Sequence, residues 1–241
     1  MRLMKRILSA AAVLALSASL LVGCSSGTAS SVPVSASSAA ESTVSSVEET
    51  ASSAVDENEA AAAQLLNDLT GSYQELWPVI LADEYKQTWL DDCTALVGED
   101  NAEAAFEKLS SMVTGDVYGE DAVKAYANGG GAYFCGFTNS LAILTFDGET
   151  STISGTDKDG NVLFSHTYHY IGMEPVRGLY EFESDDADSG EFTYFFLAPD
   201  TSAETYHIEF RYGSDADALS QYDAGDYAYW LASGISTDCD Q

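Results

Sequence analysis

Every aromatic residue of this chain lies at or after Tyr73. The first 72 residues hold none of the 27 Phe, Trp and Tyr side chains. A packed core draws on large apolar side chains, so the front of the chain cannot build one. The 169 residues from Tyr73 onward must carry the fold, and that length is enough to bury a sizeable core.

The front reads as an export device. Arg2, Lys5 and Arg6 precede an apolar run from Ile7 to Val22, and small residues close it. This is the layout of a signal peptide over residues 1–23. The run is too short and too rich in Ser and Ala for a membrane span. Leu21-Val22-Gly23-Cys24 resembles the bacterial lipobox, in which the Cys is acylated and becomes the first mature residue. The plainer reading is an ordinary signal peptide with an incidental Cys. The Ser-rich stretch that follows favours lipidation at Cys24. Residues 25–56 contain 12 Ser and no aromatic, so the segment 24–58 is expected to be a tether. As a random coil, 32 residues reach roughly 30 Å. The expected location is the cell membrane, extracytoplasmic face, through a lipid anchor.

Charge removes one class of partner. The chain has 9 Lys+Arg against 39 Asp+Glu, a net charge of −30. Without residues 1–23 the count is 6 against 39, or −33. Such a field repels phosphate backbones, so nucleic acid is excluded. It also repels anionic lipid, which leaves membrane contact to the lipid anchor only. It suits cations. With Cys24 assigned to the lipid, Cys93, Cys135 and Cys239 remain, an odd number without a CxxC. Export permits a disulfide, and Cys93 with Cys135 is the pair to test against three unpaired thiols.

Residues 60–241 read as one domain in two parts. From Ala60 to about Val113 the apolar spacing is helical: Ala60–Leu69, then Leu76, Ile80 and Leu81, then Trp89, Leu90, Cys93, Leu96 and Val97, then Phe106, Leu109 and Val113. After Gly129-Gly130-Gly131 the period becomes two. The expected strands are Tyr133–Phe137, Leu141–Phe146, Ser151–Thr156, Val162–Ile171, Leu179–Glu183, Phe192–Leu197 and Tyr206–Tyr212. Asp147-Gly148 and Asp159-Gly160 are hairpin signals. Asp215–Leu231 reads as a closing helical stretch. Short links imply antiparallel neighbours, hence an up-and-down barrel or a sandwich. The class is α+β, mainly β.

Chemistry-bearing patterns are few. GxSxG, HExxH, P-loop and GxGxxG are all missing, and nothing marks a nucleophile, so the chain does not read as an enzyme. Asp157-Lys158-Asp159-Gly160-Asn161 looks like a fragment of a calcium loop but reads better as a hairpin turn. Asp185-Asp186-Ala187-Asp188 is a solvated loop or a weak cation site. The strand His207-Ile208-Glu209-Phe210-Arg211-Tyr212 alternates cleanly. Ile208, Phe210 and Tyr212 share one face, and His207, Glu209 and Arg211 the other. Side chains two apart on a strand can converge on one metal ion. The blander reading pairs Glu209 with Arg211 on a solvated face.

Four segments resemble one family in its order. Gly71-Ser72-Tyr73-Gln74-Glu75-Leu76-Trp77-Pro78 is similar to the opening of the ZinT (YodA-type) zinc-binding domain, which also ends the AdcA-type zinc-binding lipoproteins of Gram-positive bacteria. Val176-Arg177 with Leu179-Tyr180-Glu181-Phe182-Glu183, then Leu197-Ala198-Pro199, then His207 to Gly213 resemble its later motifs. The resemblance spans about residues 68–232. It implies a lipocalin-like (calycin-like) antiparallel barrel with an N-terminal helical subdomain, and extracytoplasmic zinc binding by three His. Carried onto this chain, those positions are Phe195, His207 and Glu209. One ligand is kept, one becomes a carboxylate, and Phe195 offers no donor atom. His166 and His169 are the remaining imidazoles that could replace it. Two readings of function follow. One is a zinc-holding accessory protein that serves a divalent-metal uptake transporter. The other is a barrel whose metal site has decayed, binding a small apolar ligand or a protein partner.

Overall fold

The computed structural model describes residues 57–199 and 207–238. Segment 1–23, Cys24, the tether up to residue 56, and Cys239 lie outside the described residues. The described chain opens with α1 (57–68). It continues through β1 (Gly71–Glu75), α2 (Leu76–Ile80), α3 (Lys86–Val97), α4 (Glu99–Val113) and α5 (Glu120–Ala125). Then come β2 (Ile143–Asp147), β3 (Thr152–Thr156), β4 (Val162–Met173), β5 (Tyr180–Ser184) and β6 (Tyr194–Leu197). The last elements are β7 (His207–Gly213), α6 (Ala216–Leu219) and β8 (Ala232–Ser236). No helix of the described residues is long and apolar enough to cross a membrane.

The eight strands close into one antiparallel barrel in sequence order, with β8 returning to β1. A barrel of this size is just wide enough for its own side chains or one small ligand. Here side chains fill it. Leu144, Phe146, Ile153, Phe164, Tyr168, Phe182, Phe195, Ile208, Phe210 and Tyr212 are all buried. The Phe192 ring lies 3.9 Å from Phe164 and 5.5 Å from Tyr212, and Phe195 lies 5.3 Å from Tyr212. This packing leaves the apolar-ligand reading without support in the barrel interior.

α1 closes one side of this core. It buries Ala62, Leu65 and Leu66, and Leu69 just past its end continues the stripe at spacings of three and four. Just past its end, the hydroxyl oxygen of Thr70 accepts from the Gly148 N–H at 3.0 Å. A Cβ at Gly148 would sit 2.4 Å from the Asn67 Cα. Only glycine lets the β2–β3 turn rest on the helix backbone. A second core joins the helical part to the outer face of β8, where Leu76, Trp77, Ile80, Trp89, Val113 and Cys135 pack with Ile235.

The structure corrects several expectations. Gly71–Glu75 is a strand, not part of the helical region. Its Tyr73 points into the barrel and meets the Phe146 ring edge-on at 5.7 Å. Ala232–Ser236 is an eighth strand that the period-two pattern does not reveal. It is covered inside by the barrel core and outside by the helical part, so nearly every position is buried and no alternation shows. Tyr133–Phe137 is not a barrel strand. It makes only isolated bridges, from Phe134 to Thr114 and to Trp230, and its Phe137 ring packs on Phe210 in the barrel core at 5.3 Å. Of Asp215–Leu231, only Ala216–Leu219 is helical. Cys93 and Cys135 are both buried and both free, so the proposed bridge between them is not formed.

Candidate metal centre

The register of β7 decides which faces its residues share. Phe195 on β6 is in register with Tyr212, and cross-strand partners point the same way. Phe195 therefore belongs with Ile208, Phe210 and Tyr212 inside the barrel, at 0% exposure. His207, which is buried, and the half-buried Glu209 alternate with them and lie on the outer side of the sheet. Their partners on β8 are Ile235 and Ser233. The three positions implied by the resemblance are thus not brought together. Phe195 has no donor atom and lies on the other side of the sheet. The pair His207–Glu209 does suit a borderline divalent ion, since imidazole and carboxylate are both zinc ligands.

Arg211 shares their face but not their surroundings. It is 0% exposed, which overturns the solvated-face reading for this residue. Its guanidinium donates to the carbonyl oxygens of Leu219, Gln221 and Tyr227. It also lies over the Tyr222 ring, 4.4 Å from the centroid. Burial lowers its pKa to about 10, so it stays charged at neutral pH. Arg177 covers the same ring, also at 4.4 Å. Beside them the buried Glu174 carboxylate accepts from the N–H groups of Val176 and Arg177 at 2.8 and 2.6 Å.

The other two histidines cannot complete the pair. His166 lies on the inner face of β4 and hydrogen-bonds Asp186 at 2.7 Å. His169 lies on the outer face and hydrogen-bonds Asp185 at 2.7 Å. His169 is in register with Glu183, Glu183 with Tyr194, and Tyr194 with Gly213 at the far end of β7. Six residues of strand, about 20 Å, separate that row from His207. Around His169 itself, Asp185 meets Nδ1 while Glu183 lies 3.9 Å from Nε2. Carboxylates on the two opposite ring nitrogens do not share one ion. Among the described residues, no three His, Cys, Asp or Glu form a group that could hold a metal ion as they stand. The acidic run at Asp185 is nonetheless more than a solvated loop, because it holds both histidines. Asp157 is a turn residue, as expected, accepting from the N–H groups of Asp159 and Asn161 at 2.9 Å each.

One residue near the pair escaped the sequence reading. The carbonyl of Cys135 accepts from the Ser233 N–H at 3.0 Å, which sets it beside the β8 residue opposite Glu209. Burial, and then the Glu209 charge, push the Cys135 thiol up to about 12. Ser233, Trp77 and Arg177 act in the other direction and favour the thiolate.

No family model matches the chain, and no curated protein matches it. Among solved structures, the Zn(II)-bound ZinT-like domain of Streptococcus pneumoniae AdcA is similar, with a TM-score of 0.46 and 15% identity over 73% of this chain and 84% of that one. Zn(II)-bound AdcA from the same organism is similar at a TM-score of 0.45 and 15% identity, over 73% of this chain and 33% of that one. The chain thus spans about a third of the length of whole AdcA.

Proposed function

We propose that this protein is an extracytoplasmic, lipid-anchored binding protein that holds a divalent metal ion, zinc foremost, and supports its uptake by a transporter. It acts by binding, not by catalysis. The observation that carries the reading is that His207 and Glu209 share the outer side of β7. They are adjacent on that face, about 6.6 Å apart at Cα. The net charge of −30 raises the local concentration of cations. Two protein ligands, with water in the other positions, bind more weakly than the three of a typical open zinc site. Only the neutral imidazole is a ligand, so affinity falls as pH drops through the ordinary His range.

The placement of Phe195 inside the barrel favours a second reading, in which the site is lost and the outer surface meets a protein partner. Calorimetric titration of the full mature protein in detergent with zinc decides between them. Saturable zinc binding that His207→Ala and Glu209→Gln each reduce supports the metal reading. No zinc heat from a folded protein retires it.

A further inference from the structure

β4 outruns the strand beside it. Its register with β3 ends at Thr167, opposite Thr152, whereas its register with β5 runs on to Met173, opposite Tyr180. The N–H of Tyr168 donates to the Ser151 carbonyl at 2.9 Å, and the Thr167 carbonyl accepts from the Asp185 N–H on the other side at 2.9 Å. Main-chain groups alternate sides along a strand. The N–H and carbonyl of Tyr170 therefore face away from β5, where β3 has already ended. Among the described residues, no strand pairs with residues 169–173 on that side. A bulge between Tyr170 and Gly172 keeps this edge short. Its side chains do not guard it. Ile171 and Met173 are 41% and 40% exposed, and residues 169–173 include no Lys, Asp, Glu or Pro, which commonly blunt a free edge.

The charge around this edge is of one sign. Glu181 and Glu183 on β5 stand opposite Gly172 and His169, Asp185 bonds His169, and Glu149 is exposed on the β2–β3 turn that leads to Ser151. A second copy of the chain, with the same net charge of −30, is repelled, and a segment bearing Lys or Arg is attracted. We infer that residues 169–173 form a docking edge, on which a protein partner adds an extended segment that alternates apolar residues with Lys or Arg. The main chain of that segment pairs with Tyr170, as in other strand additions. Its apolar side chains cover Ile171 and Met173, and its cations lie beside the carboxylates of β5. The edge is separate from the His207–Glu209 pair, since β5 and β6 stand between β4 and β7.

The test uses the full mature protein in detergent and an end-capped octapeptide of alternating lysine and valine. The peptide should bind saturably and slow amide exchange across residues 168–173 and nowhere else in the barrel. A copy N-methylated at every residue cannot pair through its main chain, and a copy with glutamate for lysine carries the wrong charge. Neither should bind. Ile171→Lys should weaken binding of the lysine–valine peptide about fivefold, as like charges on paired strands do. If that variant does not fold, the two peptide copies decide alone. No binding, equal binding of either copy, or slowing only elsewhere overturns the docking edge. Protection of residues 168–173 before any peptide is added also overturns it, because the edge is then already covered. Dimerisation that slows the same amides assigns the edge to a second copy and overturns the cationic partner. None of these outcomes bears on the zinc titration, so the metal reading stands or falls separately.

Discussion

Arg211 shows how far a residue can depart from its sequence appearance. Between Glu209 and Tyr212 on an alternating strand it reads as a surface charge, yet it is fully buried. Its partners are backbone carbonyls of residues 219, 221 and 227, and carbonyls leave no mark in a sequence. The planar guanidinium reaches several acceptors at once, which a lysine ammonium does not. Arg211→Ala strands those carbonyls in the interior, at about 1–3 kcal/mol each. The expected result is a lower urea midpoint with faster amide exchange across residues 219–227. An unchanged midpoint would show that the guanidinium does not clamp this segment. His207 and Glu209 were legible because period two alone places them on one face. Cys135 was not, because only tertiary packing brings segment 133–137 to β8.

At the scale of elements, packing overrode local pattern in two strands. β1 follows a helix and precedes Leu76 and Ile80, whose spacing is helical, so its five residues merge into that pattern. β8 contains three small residues and a glycine among its five positions and shows no alternation. The strands that were legible, β2 to β7, each carry large inward side chains, and Asp147-Gly148 and Asp159-Gly160 punctuate them. Gly148→Ala forces a methyl group into the backbone of α1. It should cost about 1–3 kcal/mol, as overpacking does, and speed hydrogen exchange in α1. Stability equal to wild type would mean that the β2–β3 turn does not rest on the helix.

The segment 185–192 links β5 to β6, and magnitudes say what holds it. The His169–Asp185 pair is about half exposed on both sides, and such pairs contribute roughly 1 kcal/mol or less. Phe192 stacks between Phe164 and Tyr212, and aromatic pairs add about 0.5–1.5 kcal/mol each beyond area burial. Phe192→Ala should therefore destabilise more than His169→Ala in urea titrations. The reverse order would make the ion pair the fastening.

For the whole molecule, buried hydroxyls set an alkaline limit. Burial raises the phenols of Tyr168, Tyr212 and Tyr222 above their ordinary value of 10.0. A raised folded-state value means that the native protein holds the proton more tightly than the unfolded chain. Their contribution is fully present below pH 10 and declines above it, as the unfolded chain ionises first. Cys135, raised from 9.0 to about 12, begins the decline one unit lower. The urea midpoint should hold steady around neutrality and fall from about pH 9 upward. A midpoint that stays level to pH 11 would contradict the burial of these groups. At the membrane, Cys24→Ser should release the protein from the membrane fraction and abolish labelling by a fatty-acid probe. Retention of both would end the lipid-anchor reading.

The pairing of β8 with both β1 and β7 sets an order of events during folding. Residues 71–75 emerge early, but the strand that seals their free edge is 232–236. Until it arrives, β1 and β7 each present an unpaired ladder, the kind of edge on which chains aggregate. Closure over so long a sequence separation is slow. The face bearing His207 and Glu209 is completed by the same event, since their partners Ile235 and Ser233 are on β8. A chain stalled or clipped before residue 232 would therefore be doubly marked for quality control. It would be sticky along two edges, and the face bearing His207 and Glu209 would be unfinished.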